Sequence, residues 1–398
     1  MLAGIQFAHI LDFMVMMPLG PILMQALAID AHQFGLLVSS YTFTAALAGI
    51  PMAIIADRFE RKRLLLTMFA LFGLATLACA FARDYPTLLA MRALAGAFGG
   101  VIGALVQTMV GDLVPFERRG RASGVVMSAF SLSTVAGVPL SLLLATQFGW
   151  RIPFIFIAVF TVALLVPAWR LLPSLRGHLP SSLVGEEERA HPLAALAAVL
   201  RDANHLRAYA FMALAIFSGF TVIPFITIYA TANVGIAQVD IPYLYLAGGF
   251  ATFFTSRWIG RRTDAWGKVR AYRRVALLSL VPLFVLTHLP PSPLWLMITC
   301  TTLFFILVPG RMVPVMAIMT SAAQPRLRGT YLAVNSSVQN LCSGLAAYLG
   351  GLLITMENGW VVGYGHVGLL AMAMTLVAML FASRIRLHTG LPNPPVAE

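Results

Sequence analysis

Twelve apolar runs, each near twenty residues and separated by short charged or Pro/Gly-rich connections, constrain this chain more than any other feature. About twenty apolar residues cross the hydrocarbon of a bilayer as one helix. Only a helix or a closed barrel satisfies its own backbone polar groups there. The runs lie near 3–27, 33–56, 63–82, 86–112, 120–146 and 152–172, then near 208–232, 240–262, 272–288, 293–321, 330–355 and 362–384. They fill most of the 398 residues and leave no room for a separate soluble catalytic domain.

Charged residues make up 11% of the chain, against about 25% in a soluble domain. The net charge of +12 would suggest nucleic acid in a soluble protein. Here the basic residues sit between apolar runs, so they are read as topology determinants and no nucleic-acid partner is expected. Of the 27 Lys and Arg, 23 fall in connections on one side, among them Arg58, Arg61, Lys62 and Arg63 after run 2 and Arg118, Arg119 and Arg121 after run 4. Only Arg83 and Arg151 fall on the other side, and Arg92 and Arg311 lie inside apolar runs. The positive-inside bias then expects both termini in the cytoplasm and an even number of helices.

The chain also repeats itself. AIIADRFERKR at 53–63 is answered by GRRTDAWGKVR at 260–270, with Asp57 and Asp264 207 positions apart. A second anchor, PFERRG at 115–120 against PRLRG at 325–329, places Gly120 and Gly329 209 apart. The expected fold class is therefore all-α integral membrane, twelve transmembrane helices in two six-helix bundles. The first bundle would cover 1–172 and the second 208–398, joined by a cytoplasmic linker at 173–207 that contains GEEER and a short amphipathic helix near 192–201.

With its loop after run 2, its helix 4 pattern and its parallel six-helix repeats, the chain resembles the major facilitator superfamily, in particular its twelve-helix drug:proton antiporter and arabinose-efflux type. The family's loop signature, Gly-x-x-x-Asp-Arg-x-Gly-Arg-Arg, falls on Ala53, Asp57, Arg58, Glu60, Arg61 and Lys62. Glycine would allow a positive φ at the two departures, Ala53 and Glu60; the second copy keeps both glycines, Gly260 and Gly267. The resemblance implies a conformational latch, in which Asp57 faces the start of helix 11 near Gly329 and Arg61 pairs with Asp112. Arg58 and, in the second copy, Asp264 belong to the same loops. The resemblance also implies substrate held between the halves near the midplane and alternating access.

Run 4 carries Arg92 followed by Gly96, Gly99 and Gly100, spacing that lets helices approach closely. A cation at that depth is costly and should face a cavity or a carboxylate, although a long side chain can also snorkel to the interface. Run 5 holds Gly137 and Pro139, similar to the Gly/Pro motif of the family's antiporters, with the usual pair split by Val138. Proline removes a backbone hydrogen bond, so a kink is expected there.

Asp12 lies midway along run 1, ahead of Pro18 and Pro21. An ionisable group in that setting is functional by default, and burial disfavours its charged form. Asp12 is expected to be the proton-coupling carboxylate with Arg92 beside the site; pairing of Asp12 with Arg92 is compatible with that role. His9 is read as lying near the end of the helix rather than in a relay. Arg311, inside a proline-interrupted run 10, and Asn335 and Gln339, four apart on one face of run 11, are expected to bind substrate. Tyr41, Gln107 and Phe225 are weaker candidates for the same cavity.

Cys79, Cys300 and Cys342 fall in apolar runs, and no phosphate-binding loop, zincin motif or Cys/His metal spacing is present. No cofactor, no metal and no enzymatic activity are expected, and no signal peptide is read at the N-terminus. The functional expectation is a monomeric, multi-pass protein of a bacterial inner membrane, exporting drug-like or sugar-like small molecules by proton antiport. Its partners would be that substrate, protons and the bilayer. The alternatives within the same fold are a proton-coupled importer or uniporter of a sugar or organic acid, and a lipid or lysolipid carrier.

Overall fold

A computed structural model describes residues 1–55, 59–114, 118–173, 192–324 and 327–387. Twelve helical segments follow the twelve apolar runs. In the first half these are helix 1 (Leu2–Val15, resumed as Gly20–Leu27), helix 2 (Ala31–Ile55), helix 3 (Arg61–Ala80), helix 4 (Tyr85–Leu113), helix 5 (Arg119–Leu132 continuing to Phe148) and helix 6 (Ile152–Leu171). In the second half they are helix 7 (Ala203–Phe220, continuing to Val234), helix 8 (Ile241–Trp266), helix 9 (Lys268–Thr287), helix 10 (Leu294–Leu307 and Met312–Ala322), helix 11 (Arg328–Leu352) and helix 12 (Tyr364–Ala382). A linker helix, Pro192–Arg201, precedes helix 7.

Among the described residues seven helices are long and apolar enough to cross a membrane, and the bent pair of helix 1 makes an eighth. Of the other four, helices 8, 9 and 11 are more polar for a structural reason. Helices 2 and 11 carry hydroxyl and amide side chains and pack on one another between the halves. Helices 8 and 9 run on past the apolar zone into the basic segment Arg257–Arg274.

Several helices are broken where the sequence removes backbone donors. Helix 1 bends by 60° between its two pieces, across the stretch that holds Pro18 and just before Pro21. Helix 5 expands into a π turn at Ser133–Gly137, with the Val138 N–H reaching back to the Ser133 carbonyl. That wider turn sits directly before Pro139, whose missing N–H would otherwise orphan a carbonyl. Helix 10 breaks at Pro309–Gly310.

Two features of the chain differ from the sequence expectation. The connection between helices 11 and 12 is a β-hairpin, β1 (Thr355–Glu357) pairing antiparallel with β2 (Trp360–Val362). Asn358 and Gly359 turn it with φ of 51° and 84°. An Asn-Gly pair between short β-prone stretches is a strong hairpin signal, and reading helices 11 and 12 out to 355 and 362 hid it. The second difference is the linker. Helix 7 starts at Ala203, capped by the Asp202 carboxylate accepting from the Asn204 and His205 N–H groups at 2.7 and 2.9 Å. The linker helix buries Val199 in the core of the second half.

The core has two parts. A large cluster runs through the first half and joins residues of helices 7, 8, 10 and 12 such as Phe225, Tyr245, Phe304 and Val367. A second, separate cluster holds Tyr209, Met212, Tyr272, Ile318, Tyr331 and Ala382, toward the basic connections. Among the described residues the halves share a buried core away from the basic face, and helices 2 and 11 continue the contact from Gly351 near Ala31 to Gly49 near Ser337.

Close contacts agree. Phe13 of helix 1 meets Phe220 of helix 7 at 5.9 Å between centroids, and Phe34 meets Phe225 at 6.2 Å. A Cβ on Gly351 would stand 3.0 Å from the Ala31 carbonyl, and one on Gly249 would stand 2.9 Å from the Thr134 carbonyl. The seal lies on the face opposite the basic connections.

Candidate functional site

Helices 1, 3 and 4 place three polar side chains together inside the first half. Arg92 Nη1 donates to Asp12 Oδ2 at 2.8 Å, its Nη2 reaches the Asp12 carbonyl at 3.4 Å, and Thr76 Oγ1 donates to Asp12 Oδ1 at 3.4 Å. All three side chains are buried. Helix 2 covers them with Tyr41, whose ring lies 4.6 Å from the Arg92 guanidinium carbon and whose hydroxyl bonds His9 Nδ1 at 2.8 Å.

This packing depends on the glycines of helix 4. A Cβ on Gly96 would stand 2.1 Å from the Tyr41 carbonyl, and one on Gly99 2.2 Å from the Tyr41 hydroxyl. A Cβ on Gly100 would stand 2.7 Å from Ala45. In lipid no hydrophobic force drives helices together, so such close approach and buried hydrogen bonds carry the association. Thr44 adds one, donating across helices to the Ala93 carbonyl at 2.6 Å.

The second half has its own buried cation. Arg311 is seated where helix 10 breaks, donating to Thr375 Oγ1 at 2.9 Å, Ser218 Oγ at 2.5 Å and the Ala215 carbonyl at 3.3 Å. Sequence reasoning found both arginines but missed Thr76, Ser218 and Thr375, because a lone hydroxyl in an apolar run carries no signal of its own. His9 was placed near the end of its helix; its ring instead joins the polar cluster through Tyr41.

The other expected residues are distributed as follows. Asn335 is buried on helix 11 with an unpartnered Oδ1, and Gln339, one turn on, is half-buried. Gln107 is exposed on helix 4. Phe225 does not line an open cavity: it is fully buried in the seal against Phe34, Gly35 and Gly350. Nor do Arg92, Tyr41 and Arg311 face open space in this arrangement, since each is enclosed within its own half. A recess of about 480 Å³ at the basic ends of helices 1, 4, 5 and 6, lined by Leu2, Val110, Arg118 and Val126, holds none of the expected site residues.

At the basic face Arg61, heading helix 3, forms an ion pair with Asp112 near the end of helix 4. Asp57 and Arg58 lie outside the described residues. Asp264 is exposed near the end of helix 8 and makes no ion pair among the described residues. Glu60 takes an extended φ of −61° at the start of helix 3 and pairs with Arg63 at 3.0 Å, whereas its counterpart Gly267 has φ of 85°. Glutamate fits its position because that turn needs no left-handed residue.

In the repeat, Lys268 stands 207 after Arg61 and Ser321 stands 209 after Asp112. Lys268 Nζ donates to Ser321 Oγ. The same staple thus recurs in the second half with a neutral acceptor.

Residues 2–347 match the family model of the Major Facilitator Superfamily. The chain belongs to this superfamily. The uncharacterized MFS-type transporter YwfA of Bacillus subtilis strain 168 is 26% identical over 94% of this chain and 89% of its own length. A probable sugar efflux transporter of Helicobacter acinonychis strain Sheeba is 24% identical over 91% of this chain and 88% of its own. Another, of Mannheimia succiniciproducens, is 31% identical over 37% of this chain; that match spans only 38% of the relative's length. Among solved structures, a bacterial homolog of the human lysosomal transporter Spinster, inward-facing and unoccupied, superposes with a TM-score of 0.74 at 18% identity over 96% of both chains. This facilitator is therefore a multi-pass membrane transporter and not an enzyme.

Proposed function

We propose that this facilitator exports small organic molecules, sugar-like or drug-like, by proton antiport and alternating access. The observation that carries the reading is the buried Asp12–Arg92 pair bridging helices 1 and 4. Ionised, the carboxylate is held by the guanidinium and Thr76. Neutral, it releases Arg92, and the helix 1 to helix 4 contact can re-form differently. A two-state contact governed by one proton is what coupling requires. The names of the relatives favour efflux and a sugar-like solute.

Substrate would sit between the halves, reached by Asn335 and Gln339 of helix 11, with Arg311, Tyr41, Gln107 and Phe225 engaged as the halves rock. The boundaries 1–172, 173–207 and 208–398 are proposed for the two bundles and the linker. The loop latch is proposed to act through Asp57, Arg58, Arg61, Asp112 and Asp264. The basic connections support a reading with both termini in the cytoplasm of a bacterial cell, and the chain is proposed to work as a monomer.

The test is uptake into proteoliposomes under an imposed pH gradient. Solute should accumulate in the compartment that supplies protons, and collapse of the gradient should abolish accumulation while exchange at equilibrium continues. Flux indifferent to the gradient would refute antiport.

A further inference from the structure

Ser218 stands 206 residues after Asp12, one short of the offset that relates Asp57 to Asp264. It accepts from Arg311 at 2.5 Å, but serine brings no charge. The hydroxyl protons of Ser218 and Thr375 are already given to the Ala215 and Ala371 carbonyls at 3.1 and 2.8 Å. Both oxygens therefore act purely as neutral acceptors toward the guanidinium. Arg311 Nε and the nearby Tyr272 hydroxyl are buried without partners. Among the described residues no carboxylate lies within salt-bridge distance of Arg311.

Helix ends do not cancel this charge. The Ala215 carbonyl belongs to the last turns of Ala203–Phe220 and offers a negative helix end. Arg311 also opens the segment Met312–Ala322, whose positive end adds the opposite contribution. Asp12 and Arg92 sum to zero, so the deeply buried charges Asp12, Arg92 and Arg311 leave one net positive charge. Protonation of Asp12 raises it to two.

We infer that Arg311 sets the charge selectivity of transport: the exported solute carries no positive charge, and within a shape-matched series anions are favoured over neutral solutes and neutral solutes over cations. A charge felt from about 10 Å through an effective dielectric of about 20 changes relative affinity on the order of tenfold, even before Arg311 engages the solute directly. This rests on the export reading and names its substrate class.

The experiment measures uptake of galacturonate, galactose and galactosamine, and of benzoate, benzyl alcohol and benzylamine, into proteoliposomes of the full chain clamped at zero membrane potential. Each series should fall in the order anion, neutral, cation, by about tenfold per step. Ser218→Asp, which sets a carboxylate beside Arg311, should flatten the order, and Arg311→Gln should do the same. Thermal unfolding in detergent confirms that each variant is folded. Measurable transport with no charge order in the wild type, or an order unchanged in folded Ser218→Asp protein, overturns the charge inference and leaves export standing. Transport of no member of either series overturns export itself and this inference with it.

Discussion

Asp12 and Arg92 stabilise one another only as a pair. Removing one partner of a buried ion pair leaves the other charge uncompensated and costs about 3–5 kcal/mol. Asp12→Asn should therefore lower the thermal unfolding temperature in detergent and abolish accumulation driven by a pH gradient. The double replacement Asp12→Asn with Arg92→Gln should recover much of the stability but none of the coupling. Recovery of coupling in the double variant would contradict the proton role of Asp12. Glycines offer a second test at this scale. Gly96→Ala drives a Cβ to 2.1 Å from the Tyr41 carbonyl and should cost about 1–3 kcal/mol through overpacking, read as a fall in unfolding temperature. Gly103→Ala, whose Cβ would meet only the His9 ring at 3.6 Å, should be nearly silent.

Helix 5 and helix 8 meet across the halves at close backbone range. The π turn at Ser133–Gly137 exposes the Thr134 carbonyl to the backbone of Gly249, and Gly248 lies against Phe305. A Gly249→Leu side chain cannot fit while this seam is shut. The variant is expected to favour the alternative arrangement, open on the face away from the basic connections, with increased thiol labelling of a cysteine placed at Leu142. Unchanged labelling would show that the seam yields without opening. The motif read as a Gly/Pro kink is thus an expanded turn at an interface, and the proline explains the turn while the packing explains its place.

For the whole molecule, two halves built on one plan are stapled unequally. Arg61 meets a carboxylate where Lys268 meets a serine. Arg61→Ala should shift the equilibrium between inward- and outward-open states more than Lys268→Ala, measured as spin-label distance distributions across the basic face. Equal shifts would mean that the local acceptor does not matter. The Arg61–Asp112 pair is partly buried, with the Asp112 side chain 33% exposed, so water still screens it and the expected shift is a several-fold change in population rather than a locked state. On the far side the halves share one core, and beside the basic connections the second half keeps a core of its own.

Helix number, the repeat and the positions of Asp12, Arg92 and Arg311 were legible in the sequence from local physics: span length, charge bias, and the cost of a charge in lipid. The Arg61–Asp112 pairing was legible only through the family resemblance of the loop after helix 2. The hairpin at Thr355–Val362 was also legible through Asn358-Gly359, but the apolar runs on either side masked it. Tertiary structure decided the rest. Which hydroxyls meet the buried charges, that Phe225 seals rather than lines, and that Ser218 accepts from Arg311 all depend on how separate helices rotate against one another. A single apolar run, hydrophobic nearly all round, does not record which of its faces turns inward.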